Sequence, residues 1–308
     1  MKMTVGAAAA LALLAASSAA EAADPAVAVV LGVKGSPFYQ ALACGAKAKA
    51  KELGLALTIS APDQFAADSQ LPVVNAVAAT TPAVAVIVPT DAKALITPIK
   101  QLADRGTKIV TVDQTIEDNS FVQTQILTDN AQGGRLAADA INALLDGKGE
   151  VLVITQPPGS AAQDARTTGF EEELKKYPGI VYLGAQYQSD DPQKAAEIVT
   201  STLSAHPKLA GLFSTNDQGA IGALTGLRQA GALGKVKVVA YDAASAEVSA
   251  LEERRHPSPD RAGPETGRRG RHGIRDQAHQ GQYVGQDHAD RDRHDKERRH
   301  GDRRQVRI

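Results

Sequence analysis

Tryptophan is absent from this 308-residue chain, and Phe and Tyr together supply an aromatic share of only 4%. With an apolar share of 43%, the cores have to be built from Ala, Val, Leu and Ile. The length allows two domains of ordinary size or one large one. A single cysteine, Cys44, excludes an internal disulfide and any multi-cysteine metal cluster. It lies in a helical stretch and reads as a small buried residue rather than a nucleophile. Catalytic fingerprints are lacking as well. Gly32-Val33-Lys34-Gly35 does not fit the dinucleotide pattern, Gly147-Lys148-Gly149 reads as a turn rather than a Walker A loop, and no Gly-x-Ser-x-Gly elbow occurs. No enzyme, metal centre or cofactor is expected.

Histidine is nearly missing from the first 253 residues, where only His206 occurs. The other six (His256, His272, His279, His288, His294, His300) fall in the tail. From Arg254 onward 15 Lys and Arg face nine Asp and Glu, a surplus of six, so the preceding part carries -7 to reach the total of -1. One chain thus contains two compositions. The tail has almost no large apolar residues beyond Ile274, Tyr283, Val284, Val306 and Ile308, and no period of 2 or 3.6. Residues 254–308 are therefore expected to be disordered. Three origins stay open for them: a shifted reading frame, a basic extension that binds anionic surfaces, or a histidine-rich metal tail. The spacings match no zinc pattern.

At the other end, Met1 to Ala22 has the layout of a secretory signal. Lys2 supplies the positive region, Val5 to Ala16 a short apolar run, and Ala20-Glu21-Ala22 a small-x-small cleavage site. The run is too short for an ordinary spanning helix. The expectation is an exported, periplasmic protein cleaved near Ala22.

Between leader and tail, short apolar runs alternate with helical patterns. Strands are expected at Val27–Leu31, Leu55–Ser60, Val84–Val88 and Lys108–Val112, with helices at Pro37–Leu53, Phe65–Thr80 and Ala92–Arg105. A second series places helices at Asn130–Leu145, Ala161–Tyr177, Pro192–Ala205 and Gln218–Ala230, with strands at Val151–Thr155, Ile180–Gln186, Leu209–Ser214 and Val236–Tyr241. Such alternation implies right-handed crossovers and parallel sheets. The reading is an α/β chain of two doubly wound Rossmann-like lobes, 23–127 and 128–253, with Phe121–Leu127 as the crossing between them.

In parallel sheets, ligands bind at the carboxyl edge of the strands. Gly35-Ser36-Pro37-Phe38-Tyr39 follows the first strand, with Ser36 as N-cap and Pro37 in the first helical turn. Phe38 either forms a platform for a small polar molecule or packs under the helix start. Asp113-Gln114 follows the fourth strand. In the second series, Gln156-Pro157-Pro158-Gly159-Ser160, Arg166, Asn216-Asp217 and Tyr241-Asp242 follow strands, with Asp217 read as the N-cap of its helix. Carboxylates, amides, one Arg and aromatic rings suit a neutral, hydroxyl-rich ligand.

From Val27 to about Glu253 the chain resembles the ribose-type periplasmic sugar-binding proteins, the substrate-capturing subunits of ABC importers. The matching signatures are Ser36-Pro37-Phe38-Tyr39, Pro89-Thr90-Asp91, Val112-Asp113, Thr128-Asp129-Asn130-x-x-Gly133-Gly134, Arg166-x-x-Gly169-Phe170, Asn216-Asp217 and Tyr241-Asp242. The resemblance implies two lobes joined by a three-stranded hinge that closes on the sugar. It places Phe38 on the sugar ring, with Tyr39 and Ser36 beside it. Asp113 and Asp242 accept from hydroxyls, and Arg166 and Asn216 donate. Gln114 stands where family members often carry Arg. Asp190 falls near the position of a second-lobe aromatic, so the implied ligand is another pentose, a hexose or an open-chain polyol. A membrane permease is the implied partner, the chain acting as a monomer without nucleic acid. The third hinge crossing of the family is not recognisable in the tail. A sensor feeding a chemoreceptor or kinase shares the same signature. A repressor core of the lactose type would need a helix-turn-helix where the leader stands.

Overall fold

The computed structural model describes residues 26–249 and the backbone of residues 284–287. The expectations for the leader, and for the rest of the tail, lie outside these residues. The first series runs β1 (Ala26–Val30), α1 (Pro37–Leu53), β2 (Ala56–Ser60), α2 (Ala67–Thr80), β3 (Val84–Ile87), α3 (Ile96–Asp104), β4 (Lys108–Val112) and β5 (Val122–Leu127). The second runs α4 (Asn130–Leu144), β6 (Gly149–Thr155), α5 (Ala161–Leu174), β7 (Ile180–Tyr187), α6 (Pro192–Ala205), β8 (Leu209–Ser214), α7 (Asp217–Gln229) and β9 (Lys237–Ala240), with β10 (Val284–Asp287) last.

Two sheets result, ordered β10-β5-β4-β3-β1-β2 and β7-β6-β8-β9. All pairings are parallel except that of β10 with β5. Helices cover both faces of each sheet. In the first, α2 and α3 bury Val74, Ile99 and Leu102 against Ala85 and Ile87, while α1 covers Val29 and Val88 on the other face. In the second, Ile198, Val199 and Leu227 of α6 and α7 pack on one face, and Ile141 and Phe170 of α4 and α5 on the other. Each fully buried aliphatic side chain contributes about 1.5–3 kcal/mol, which is how cores without Trp suffice.

Several expectations are corrected. Helix α3 starts at Ile96 rather than Ala92, because Asp91 Oδ1 accepts from the N–H groups of Lys93 and Ala94 at 2.8 and 2.7 Å and holds a turn there. Helix α2 starts at Ala67, leaving Phe65 in the loop after β2. Cys44 is exposed, not buried. The face of α1 that meets the sheet is drawn by Tyr39, Leu42, Ala43 and Ala46, and Cys44 is turned away from it. The tail, expected to form no regular structure, contributes β10. A free edge such as that of β5 offers unpaired backbone N–H and C=O groups, which a strand can pair with whatever its side-chain period.

Candidate functional site

The carboxyl edges of the two sheets face each other across a small cavity of about 20 Å³, room for a single water. Ser36, Phe38 and Tyr39 reach it from the start of α1, and Asp113 from the end of β4. Arg166 enters from α5, Asn216 from the end of β8 and Asp242 from the end of β9. Seven of the nine residues singled out by sequence thus line one cavity, the exceptions being Gln114 and Tyr241.

On the first-sheet side, the Tyr39 ring stacks on Phe65 at 6.5 Å between centroids and meets Phe38 edge-on at 5.3 Å. Tyr39 is buried and its hydroxyl donates to Asp113 Oδ2 at 3.0 Å. Phe38 is half-buried. It packs on the cluster under α1 and also lines the cavity. Ser36 occupies the N-cap position with extended backbone, but its hydroxyl makes no cap bond. It donates instead to Asp217 Oδ2 at 3.4 Å, and the Phe38 N–H points at the same oxygen at 3.4 Å. Asp217 is the first residue of α7 and not its cap. Asn216 caps the helix, its Oδ1 accepting from the Gly219 N–H at 3.0 Å.

On the second-sheet side, the motif glycines place Arg166. A Cβ on Gly134 of α4 would lie 2.0 Å from the Arg166 carbonyl oxygen, and one on Gly169 of α5 would lie 2.2 Å from that of Ala131. Only glycine lets the two helices approach so closely. The buried guanidinium then donates from Nε to Asn130 Oδ1 at 2.9 Å and from Nη1 to the Thr215 carbonyl at 2.7 Å. Tyr241 lies beneath it, 3.6 Å from ring centroid to guanidinium carbon. Its role is thus to hold the Arg166 plane by cation–π contact. Gln114 is buried outside the cavity, its Oε1 accepting from the Ala162 N–H at 2.8 Å. Asp113 lies just past β4 in left-handed backbone, and that bend turns Asp113 inward and Gln114 to a contact between the two halves.

Three further residues line the cavity that sequence reasoning did not assign to the ligand edge: Phe65, Gln163 and Asp190. Gln156, noted after β6, and Asp217, noted after β8 as a helix cap, join them. Phe65 follows β2, so the carboxyl-edge rule pointed to its loop. Asp190 sits in Ser189-Asp190-Asp191-Pro192, which reads as a helix start. Asp191 is indeed the cap of α6, while Ser189 and Asp190 adopt left-handed backbone, φ 53° and 60°.

Asp113 and Asp242 are left-handed too, at φ 65° and 73°. Three of the four cavity carboxylates therefore occupy a backbone region costing about 1–3 kcal/mol outside glycine, the kind of strain that clusters at ligand sites. Burial pushes Asp190 up to about 7, with neighbouring carboxylates adding to it. Burial also pushes Asp242 up to about 6, although Arg166 pulls the other way. Asp113 and Asp217 are raised by burial as well, and Tyr39 is raised by burial and by Asp113.

Comparison with known proteins identifies the family of this fold. A family model described as the periplasmic binding protein domain matches residues 27–255. The D-ribose/D-allose-binding protein of Pseudomonas aeruginosa is 28% identical over 226 residues, covering 71% of this chain and 70% of that protein. A solute-binding protein of an ABC transporter from Agrobacterium vitis, solved with alpha-D-tagatopyranose, superposes with a TM-score of 0.72 at 34% identity. The match covers 74% of this chain and 80% of that one. A carbohydrate transporter solute-binding protein from Agrobacterium radiobacter, in complex with D-arabinose, superposes with a TM-score of 0.71 at 28% identity, covering 75% and 80%.

Proposed function

Because the chain belongs to the periplasmic binding protein family, we propose that it captures a monosaccharide or polyol between its two sheets and delivers it to the permease of an ABC importer. The reading divides the exported chain into lobes 23–127 and 128–253, acting as a monomer in the periplasm after cleavage near Ala22. The observation that carries it is the meeting of Phe38, Asp113, Arg166, Asn216 and Asp242 in one cavity between the carboxyl edges of both sheets.

The mechanism follows from the walls. Phe38 covers the C–H face of a ring, Asp113 and Asp242 accept from hydroxyls, and Arg166 and Asn216 donate. Each charge-assisted hydrogen bond contributes about 1.5–3 kcal/mol net, and several reach the ~8 kcal/mol of micromolar binding. The cavity as it stands is too small for a sugar, so entry requires the halves to separate. Separation breaks the long Ser36–Asp217 and Phe38–Asp217 contacts, and a ligand bridging both walls replaces them. Ligand contacts from both halves then favour the closed state, which a permease can recognise. Nothing in this scheme transforms the ligand.

A thermal-shift panel of pentoses, hexoses and alditols on the full chain tests it. At least one is expected to raise Tm, and Phe38→Ala or Asp113→Ala to abolish that rise while the unliganded protein still melts cooperatively. Retained stabilisation in both variants contradicts the site assignment.

A further inference from the structure

Given that the cleft captures a sugar or polyol, its charges say which kind. Four carboxylates, Asp113, Asp190, Asp217 and Asp242, face one guanidinium, Arg166. A neutral polyol brings donors and acceptors together, since each hydroxyl is both. The walls lean towards acceptors, four carboxylates being among them. Arg166 already uses its Nε–H and one N–H of Nη1 on Asn130 and Thr215, leaving three of its five N–H groups. Asn216 Nδ2 and Gln156 Nε2 both donate to Asp190 Oδ1, at 2.6 and 2.8 Å. Three buried acceptors of residues lining the cavity have no partner: Asp190 Oδ2, Gln156 Oε1 and Gln163 Oε1. Gln156 and Gln163 are only 1% and 6% exposed, so bulk water does not satisfy them.

The approach carries the same sign. A wider cleft of about 710 Å³ shares Phe65, Gln156 and Asp190 with the cavity. Asp63 there is paired with Lys34, leaving Asp91, Asp190 and Asp191 against Lys194. An excess of one sign of charge along a cleft concentrates counter-ions.

We propose that the ligand is a cationic sugar or polyol, one bearing a protonated amino group, with its ammonium seated against Asp190. An ammonium offers three donors and no acceptor, the complement of the surplus on these walls. The two amide donors on Asp190 Oδ1 hold that carboxylate in place while Oδ2 stays free for the ligand. Burial and carboxylate crowding push Asp190 to about 7 and Asp242 to about 6. An empty closed cavity therefore sheds its excess charge only by taking up protons, whereas a cation removes it at neutral pH.

Titration calorimetry on the full chain at pH 7.5 tests this with matched sets. The sets are D-glucose, D-galactose and D-mannose, their 2-amino-2-deoxy and N-acetylated forms, and alditols with their 1-amino-1-deoxy counterparts. In at least one set the amino form is expected to bind about tenfold or more tighter than both neutral forms. Asp190→Asn is expected to weaken the amino form more than its neutral parent and so to bring the two within about threefold, with the melting curve of the variant reporting separately on its fold. A neutral parent that binds as tightly as its amino form overturns the charge assignment and leaves sugar capture standing. A gap unchanged in Asp190→Asn overturns the seat at Asp190. Binding of putrescine or ethanolamine with no sugar of either kind, or no binding by any member, overturns sugar capture and the charge assignment together.

Discussion

The two walls of the cavity are built from opposite materials. From the first sheet come three rings, Phe38, Tyr39 and Phe65, with a single carboxylate, Asp113. From the second come three carboxylates, Arg166 and amides, with no ring among the described residues. The first wall is held by apolar packing: Tyr39 stacks on Phe65 and both belong to the cluster beneath α1. The second is held by polar links, Gln188 to Asn216, Asn216 to Asp190, Gln156 to Asp190, and Arg166 to Asn130 and Thr215. One wall supplies surface and the other supplies charge. Damage to the first should therefore cost affinity, and damage to the second should cost both affinity and fold.

The largest effect is expected from Arg166→Ala. It takes the guanidinium donor from Asn130 Oδ1 and the Thr215 carbonyl and removes the one cation that lines the cavity among the described residues. Removing one partner of a buried charged network typically costs about 3–5 kcal/mol, so chemical denaturation should show a clear loss of stability, and ligand stabilisation should vanish. Phe38→Ala sharpens the contrast. The ring is half-buried, so unliganded stability should fall by no more than about 1–2 kcal/mol while affinity drops by at least an order of magnitude. If Phe38→Ala destabilised the empty protein more than Arg166→Ala, the division between the walls would be wrong.

Acidity acts on the second wall. The raised Asp190 and Asp242 favour the protonated closed form, so their contribution to its stability is fully present below the ordinary carboxylate range. It is lost as pH climbs through about 6 and about 7. Ligand-free protein should melt a few degrees higher at pH 5 than at pH 8, and Asp190→Asn should flatten the upper part of that slope. The smallest effect belongs to Cys44→Ser. The thiol is exposed on α1, and such surface changes stay within about 0.5 kcal/mol.

The fold was largely legible because Ala, Val, Leu and Ile alternate between strand runs and helical faces without Trp or disulfides to complicate the pattern. Pro37 and Gly54 bracket α1 as a sequence reader would place them. The misses share a cause: a short polar residue before a helix has several uses. Asp91 holds a turn and delays α3, and Asn216 takes the cap assigned to Asp217. Asp190 turns into the cavity because the residues before the Asp191 cap are left-handed, a conformation that Ser and Asp do not announce. Gln114 and Tyr241 were correctly drawn to the edge of their sheets. Their side-chain directions depend on the twist of one backbone bend and on where Arg166 lies, which residue type does not reveal. Cys44 was misplaced because a small apolar residue is tolerated on either face of an Ala-rich helix.

The most direct test is the structure of the full chain crystallised with the compound that stabilises it most. The account predicts a ring or polyol chain lying on Phe38, with Asp113 from one wall and Arg166, Asn216 and Asp242 from the other within hydrogen-bond distance. A ligand bound elsewhere, or one touched by residues of a single sheet, would contradict it.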